Sequence, residues 1–218
     1  ASRYNKPDFK LFDYTIYADV TDINGETRSG QSSVTVGYQS LLLNVDLPSS
    51  LPADSLKNIS IRTTNMNGEF QPSKVNVVIS KLKQEDRLIR NRYWARPDQF
   101  VMTKEEYIQN FPHDEYNAES DYRGWRKEET VFEKSDSLKD NWQFAISNLQ
   151  LNPGYYEVEV STKDKDGNDV KDVEYIELYN EKSNQLTNAK YLWTQRYSPI
   201  EQGQKTNVHI GTSANDLF

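Results

Sequence analysis

The sequence predicts a mainly β chain of immunoglobulin- or fibronectin-like antiparallel sandwich domains, with a partly helical insertion in the central domain. A hairpin pattern occurs twice, because residues 14–36 and 156–178 share their spacing without a gap. In both copies apolar residues alternate, as they do in a strand with one buried face, and an Asn-Gly or Asp-Gly turn follows. The fourteen tyrosines also suit half-buried pleated surfaces.

The first copy of the hairpin predicts strands at 14–20 and 32–37, after a polar and aromatic start at 1–13. Two strands alone are marginal in water, because they cannot bury their shared apolar face. We therefore expect residues 1–38 to be the closing strands of a preceding domain.

The central unit, residues 39–181, is predicted to be a complete sandwich with an insertion at 83–140. Short alternating segments are separated by turn signals, among them Pro48, Pro52 and an Asn-Gly turn that ends at Gly68. The predicted strands lie near 40–47, 57–64, 74–82, 141–147, 155–163 and 172–179.

The insertion carries charges of both signs together with many aromatic residues. Its charged residues include Arg87, Arg90, Arg92, Arg96, Asp114, Glu115, Glu119 and Asp121. Its aromatic residues are Tyr93, Trp94, Phe100, Tyr107, Phe111, Tyr116, Tyr122, Trp125 and Phe132. A disordered linker normally lacks aromatic residues, so we expect much of this segment to be ordered.

A short helix is predicted inside the insertion. Thr103 and Glu106 have the spacing of a capping box, and Tyr107, Ile108 and Phe111 follow at helical intervals. The helix is expected to end before Pro112, which cannot continue it.

Residues 185–218 predict the opening strands of a third unit. A strand at 190–193 leads through a Gly-containing turn at 198–203 to a strand at 206–211. The apolar faces of the two end units must pack on each other, on the central domain or on another copy of the chain.

Composition excludes several kinds of function. The formal net charge of −7 argues against general nucleic-acid binding, which needs a basic face. The absence of cysteine excludes disulfides, zinc–thiolate and iron–sulfur sites, and a cysteine nucleophile. No apolar run approaches a membrane span, and no signal peptide is present in this sequence; a targeting segment would lie outside it.

Two metal sites were weighed against structural roles. The segment 164–169 is rich in aspartate, but its glycine is fourth and no helices flank it, so a hairpin turn is favoured over a calcium loop. The two histidines, His113 and His209, lie far apart and would need carboxylates brought close by the fold. We therefore predict no metal site and no cofactor.

No catalytic constellation is predicted either. The pairs Glu105/Glu106 and Glu128/Glu129 are sequence neighbours, which do not face each other as a glycosidase requires. Spacings typical of a serine nucleophile or a phosphate loop are absent.

A possible interaction surface is formed by Tyr93, Trp94 and Trp125, whose rings could stack on sugars or contact a protein ligand. This second hypothesis makes the chain a surface binding module. A third makes it an accessory domain of a polysaccharide-degrading enzyme.

Three segments in order resemble the macroglobulin domains of bacterial alpha-2-macroglobulins. Residues 17–37 resemble the end of one such domain. Residues 154–160, Gly-Tyr-Tyr-Glu-Val-Glu-Val before an Asp-rich turn, are similar to the closing strands of the next. Residues 200–213 look like the opening of a third.

The resemblance implies a non-catalytic scaffold section of an exported protease trap, periplasmic or on the cell surface. Its partners would be neighbouring macroglobulin domains and, through the whole protein, proteases, without nucleic-acid binding or membrane insertion. The thioester of that family needs a cysteine, so this chain cannot contain it. The insertion offers many protease cut sites, yet an ordered cap is favoured over a bait, which must be exposed and flexible.

Overall fold

The structure is a computed structural model. It describes residues 11–37, 39–85, 87–90, 92–139, 142–146, 149–180, 186–187, 189–196, 201–206 and 208–215. The predictions for 1–10, for positions 141 and 147, and for 181–185, 198–200 and 207 lie outside the described residues.

Strands dominate the described chain, which confirms the mainly β prediction. The strands are β1 Leu11–Thr21, β2 Thr27–Gly37, β3 Leu42–Asp46, β4 Ser50–Pro52, β5 Asn58–Thr64, β6 Lys74–Leu82, β7 Lys127–Ser137, β8 Gln143–Ala145, β9 Gly154–Lys163, β10 Asp169–Tyr179, β11 Trp193–Arg196 and β12 Val208–Gly211. One α-helix, α1 Lys104–Asn110, and one 3-10 turn, Tyr122–Gly124, complete the regular structure of the described residues.

Two sheets pack face to face in the central part of the chain. One has the strand order β3-β5-β8 and the other the order β4-β10-β9-β6-β7. All pairs are antiparallel except β4 with β10. Alternate residues of both sheets meet in one core, where Ile59, Ile61, Val77, Val158 and Ile176 are fully buried. The alternation in the sequence therefore identifies the buried face of each strand.

The strands near 57–64, 74–82, 155–163 and 172–179 form as predicted, with small changes at their ends. Those near 40–47 and 141–147 are shorter, at Leu42–Asp46 and Gln143–Ala145. Position 142 leaves the strand pattern, because Trp142 has a φ of +60°.

Strands β4 and β7 were not predicted. Strand β7 lies inside the predicted insertion, yet it pairs with β6 from Lys74↔Ser137 to Leu82↔Lys127. Its residues are mostly exposed and charged, as suits an edge strand that must not pair with other molecules, and this hides the alternation. The irregular part of the insertion is therefore 83–126.

Three turns of the chain share one construction. The side-chain oxygens of Asp22, Asn65 and Asp164 each accept hydrogen bonds from the backbone N–H groups two and four residues later, at 2.8–2.9 Å. The glycine three residues later has a φ of 82–85° in each turn. Only glycine adopts that conformation without strain, which explains the repeated spacing.

The two end hairpins form separate two-stranded sheets. Strands β1 and β2 pair antiparallel over their whole length, from Leu11↔Gly37 to Thr21↔Thr27. Strands β11 and β12 pair from Trp193↔Gly211 to Arg196↔Val208. One face of the first hairpin is apolar and exposed to solvent, and it consists of Phe12, Tyr14, Ile16, Ala18, Val20, Val34 and Val36.

Candidate binding cleft

The segment 83–126 is held together by three arginines that donate to backbone carbonyls or to a carboxylate. Arg87 Nη1 donates to the carbonyl oxygens of Pro112 and Asp114 at 2.9 and 3.0 Å. Arg90 forms an ion pair with the Asp114 carboxylate. Arg92 Nη2 lies 2.6–3.0 Å from three successive carbonyl oxygens, at positions 115, 116 and 117, which share its two N–H donors. The part of the segment that carries the three arginines is thereby fixed beside residues 112–117.

In the sequence, helix α1 lies between the three arginines and residues 112–117. Thr103 Oγ1 accepts a hydrogen bond from the Glu106 N–H, and Glu106 Oε2 accepts one from the Thr103 N–H, which is the complete capping box. The helix ends at Asn110, before Pro112. Tyr107 contacts Tyr116, with 5.4 Å between ring centroids, so the helix packs on the strip that Arg92 holds.

The segment closes over the outer face of the five-stranded sheet. The ring of Tyr155, on β9, is buried beneath Tyr122 and Trp125, with centroid distances of 4.8 and 5.2 Å. Trp125 Nε1 donates to the Glu119 carbonyl oxygen at 2.7 Å. The indole of Trp125 is therefore held by a T-shaped contact with Tyr155 and by the hydrogen bond of its Nε1.

A network of charges continues along the same sheet face. Lys127 Nζ lies 2.6 Å from Glu157 Oε1 and 3.3 Å from Glu159 Oε2, and Lys171 Nζ lies 2.6 Å from the latter atom. Burial opposes the charge on Lys127, yet the two carboxylates raise its pKa. Burial, followed by the Glu157 carboxylate, raises the pKa of Tyr175 to about 12. Tyr175 therefore stays a neutral hydrogen-bond donor at physiological pH.

A cleft of about 1200 Å³ opens along the segment. Trp94 and Trp125 line it together with the cationic side chains of Lys83, Arg96 and Arg126. Among the described residues these three cations have no ion-pair partner. The other two cations that line the cleft already have partners. Arg92 donates to backbone carbonyls, and Lys104 pairs with Glu119 at 3.3 Å. The cleft therefore combines indole surface with these three cations, and the carboxylates of Glu85, Glu115, Glu119 and Asp121 line it as well.

A second cavity of about 470 Å³ adjoins the cleft and shares Trp125 with it. Its wall comes from the segment 83–126, from β9 and from residues 189–194. Six of its lining residues are aromatic: Tyr93, Tyr122, Trp125, Tyr155, Tyr191 and Trp193. Ile89 forms a parallel bridge with Lys190, which attaches the 189–194 strip to the segment.

The structure places the three residues of the predicted surface around these adjoining spaces. Trp94 and Trp125 line the cleft, and Tyr93 and Trp125 line the second cavity. Tyr93 and Trp94 are exposed, at 93% and 57%, whereas Trp125 is half-buried. The two tryptophans can therefore contact one ligand, while Tyr93 extends into solvent at the rim.

Sequence reasoning missed most of the remaining wall. Tyr155 was treated as an ordinary strand residue, although it faces away from the sandwich core, opposite to its neighbour Tyr156. Two adjacent buried tyrosines in one strand are a signal that both faces of the sheet are covered. Trp193 was placed in a separate unit, and no local pattern links it to the cavity.

The other candidates have structural roles. Asp164 accepts the hydrogen bonds of its turn with both carboxylate oxygens, as the favoured interpretation predicts. Glu106 caps α1, and Glu128 lies 3.7 Å from Lys81 on the sheet edge. His113 Nδ1 lies 3.0 Å from the Leu88 carbonyl oxygen. The side chain of His209 lies outside what the structure describes.

Within the described ranges, His, Asp and Glu side chains form no group of three that could hold a metal ion. In the same part of the chain no helix is both long and apolar enough to cross a membrane. No protein-family model matches the chain, and no curated protein matches it significantly.

Proposed function

We propose that the chain is a non-catalytic framework section of a macroglobulin-type protease trap. The observation that carries this proposal is the order of β units. A packed sandwich stands between two small sheets, and the first of these leaves an apolar face exposed. A face of this kind is typical of strands that belong to a larger sandwich.

The strand order of the central unit supports an immunoglobulin-like identity. The chain crosses between the two sheets several times, so that β3, β5 and β8 form one sheet while β6, β9 and β10 form the centre of the other. Immunoglobulin-like sandwiches distribute their strands in this way. The short β4 and the edge strand β7 extend the second sheet on its two sides.

A tyrosine hydrogen bond in β9 supports the same identity. The Tyr156 hydroxyl donates to the carbonyl oxygen of Asn152, four residues upstream, at 2.7 Å. A tyrosine near the start of the equivalent strand that bonds back to the preceding loop is a hallmark of these sandwiches.

In such a trap the section would position other domains, exported to the periplasm or the cell surface. The segment 83–126 would act as an ordered cap on the sandwich. Two observations favour an ordered cap rather than a bait. The arginines bond to residues 112–117, and Tyr155 is buried beneath Trp125. A bait must instead be exposed and flexible to be cut.

Incubation of the chain with trypsin, chymotrypsin and elastase tests the framework role. We expect the proteases to keep their full activity on a protein substrate, and the chain to lose only peripheral pieces while 39–180 survives. Fast cleavage within 83–126 by all three proteases would make that segment a bait and contradict a framework role.

A second candidate is a surface module that binds carbohydrate, and the convergence of Trp94 and Trp125 on one cleft favours it. Aromatic side chains with a few polar groups are typical of small-molecule and sugar sites. The cleft and its neighbour together could accommodate several sugar units, given their volumes of about 1200 and 470 Å³.

Affinity electrophoresis through gels that contain soluble neutral or acidic polysaccharides tests this candidate. We expect retardation that is lost in Trp94→Ala and kept in Tyr17→Ala, because Tyr17 is also an exposed aromatic residue but lies on the first hairpin. Unretarded migration in every polysaccharide would exclude the binding role.

A further inference from the structure

We propose that the second cavity recognises the carboxylate of an acidic sugar unit through Arg87. The inference rests on the carbohydrate-binding role proposed for the adjoining cleft, and it specifies the chemical class of the ligand. The sugar ring would contact the aromatic walls, and its carboxylate would occupy the free edge of the Arg87 guanidinium.

The hydrogen bonds of Arg87 leave one edge of its guanidinium unused. Nη1 donates hydrogen bonds to the carbonyl oxygens of Pro112 and Asp114. Nε and Nη2 are buried, and among the residues that the structure describes neither atom has a hydrogen-bond partner. Buried donors without a partner are rare in folded proteins, because each one loses its bonds to water without replacement. Such a pair calls for an acceptor that the described part of the chain does not supply.

The geometry of the unused edge selects the acceptor. Nε and Nη2 present two roughly parallel N–H bonds in one plane, which match the two oxygens of a carboxylate. A single carbonyl oxygen can satisfy only one of these donors well. The charge on Arg87 also strengthens its bonds to an anionic acceptor relative to a neutral one.

The other ionic groups around the cavity are mostly paired. Arg90 pairs with Asp114, Glu119 with Lys104, and Lys190 with Glu177, with Nζ–Oε1 distances of 3.3 Å in the last two pairs. Glu85 also lines the cavity and offers an acceptor for a sugar hydroxyl. Arg87 is therefore the cation of this cavity that is left to bind an anion.

The walls favour a ring over a flexible acidic peptide. Six aromatic side chains surround a space of about 470 Å³, which lies within the range of small-molecule sites at roughly 300–1,000 Å³. A pyranose has flat C–H faces that cover aromatic rings, whereas an acidic peptide segment brings mainly carboxylates and backbone.

Further sugar units of the same polymer would bind in the adjoining cleft. It begins at the shared wall of Trp125 and carries Trp94 with the uncommitted cations Lys83, Arg96 and Arg126. Repeated carboxylates along a polymer of acidic sugars would meet these cations in turn. The ligand class is therefore a polyuronate, with one unit in the Arg87 cavity.

Calorimetric titration with an oligogalacturonate and with its fully methyl-esterified form tests the proposal, because the two differ only in that methyl esters replace the ionised carboxylates. We expect the acid to bind at least about ten-fold more tightly than the ester. In Arg87→Lys this preference should fall markedly, because an ammonium can still donate to the Pro112 and Asp114 carbonyls but has no planar fork. What remains of the preference comes from the cations of the cleft. Circular dichroism of the variant checks its fold.

Arg28→Lys serves as the matched control, since Arg28 also makes an ion pair but lines neither the cavity nor the cleft, and it should keep the preference. Equal binding of acid and ester, with loss of both in Trp94→Ala, would overturn this inference and leave the carbohydrate role intact. If the natural chain and its variants bind neither the acid nor the ester, both this inference and the carbohydrate-binding role are wrong. Tighter binding of hexaglutamate than of the oligogalacturonate would assign the site to acidic peptides and also overturn the inference.

Discussion

The Tyr156 hydroxyl donates a hydrogen bond to the Asn152 carbonyl oxygen at 2.7 Å, and this bond ties the loop before β9 to the core of the sandwich. The Tyr156 ring is 1% exposed, so the hydroxyl must find its partner inside the protein. Burial, followed by the charge on Glu129, raises the pKa of Tyr156 to about 12. The bond is therefore kept intact well above physiological pH.

Replacing Tyr156 with Phe should destabilise the chain by about 1–2 kcal/mol, because the Asn152 carbonyl loses a buried donor while the ring stays packed. Urea unfolding followed by circular dichroism measures the change. Tyr17→Phe, on the exposed hairpin, should leave the midpoint unchanged. An unaltered midpoint in Tyr156→Phe would show that the bond contributes nothing.

Acid should weaken the turn that joins β9 to β10. The Asn168 side chain and several backbone N–H groups hold the pKa of Asp164 at about 2, below its ordinary value. Because the folded-state pKa is depressed, the stabilisation is present above about pH 4 and is lost as the pH falls toward 2.

Asp164→Asn isolates this effect, since an asparagine already makes the equivalent turn at Asn65. The variant should fold, and its stability should fall less between pH 4 and 2 than that of the natural chain. Thermal unfolding at a series of pH values measures the difference. Parallel acid curves for the two chains would rule out Asp164 as a source of the acid sensitivity.

Loss of Arg92 should open the strip that it holds without unfolding the sandwich. Its two Nη2 hydrogens are shared by the carbonyls at 115–117, and a hydrogen bond from a charged donor contributes about 1.5–3 kcal/mol. In Arg92→Ala, chymotrypsin should therefore cut after Tyr116 at least about ten-fold faster. Arg28→Ala, which removes an exposed ion pair with Glu26, should leave that rate unchanged.

The exposed face of the first hairpin should bind apolar dyes. Ile16, Tyr14 and Val20 are each more than half exposed on this face. Ile16→Ser should lower the fluorescence of bound anilinonaphthalene sulfonate, because it interrupts the apolar patch. Thr15→Ser changes the opposite face and should have no effect. Equal fluorescence in both variants would locate the dye elsewhere.

The sequence predicted the sandwich strands well wherever one face is buried. Strand β6 alternates from Val75 to Ile79, and those side chains are fully buried. Strand β7 escaped prediction because an edge strand needs charge more than alternation. Strand β4 escaped because it has only three residues and ends in Pro52.

The cleft was predictable only in part, because its parts are distant in the sequence. Aromatic richness identified Trp94 and Trp125 as surface candidates, and the capping box identified the helix after Thr103. The bonds of Arg87 and Arg92 reach carbonyls some 25 residues away, and no local pattern encodes such pairings. The unused edge of Arg87 is likewise visible only once the fold shows which donors are already satisfied.

Hydrogen exchange of the intact chain, read by mass spectrometry, tests most directly whether the segment 83–126 is a built part of the sandwich. The Arg90 N–H donates to the His113 carbonyl at 2.9 Å, and the Lys83 N–H to the Arg126 carbonyl at 2.9 Å. Our account predicts that peptides covering these amides exchange much more slowly than the turn at 22–26. Complete exchange of 83–126 within seconds would contradict the ordered cap, and with it the cleft and the Arg87 cavity.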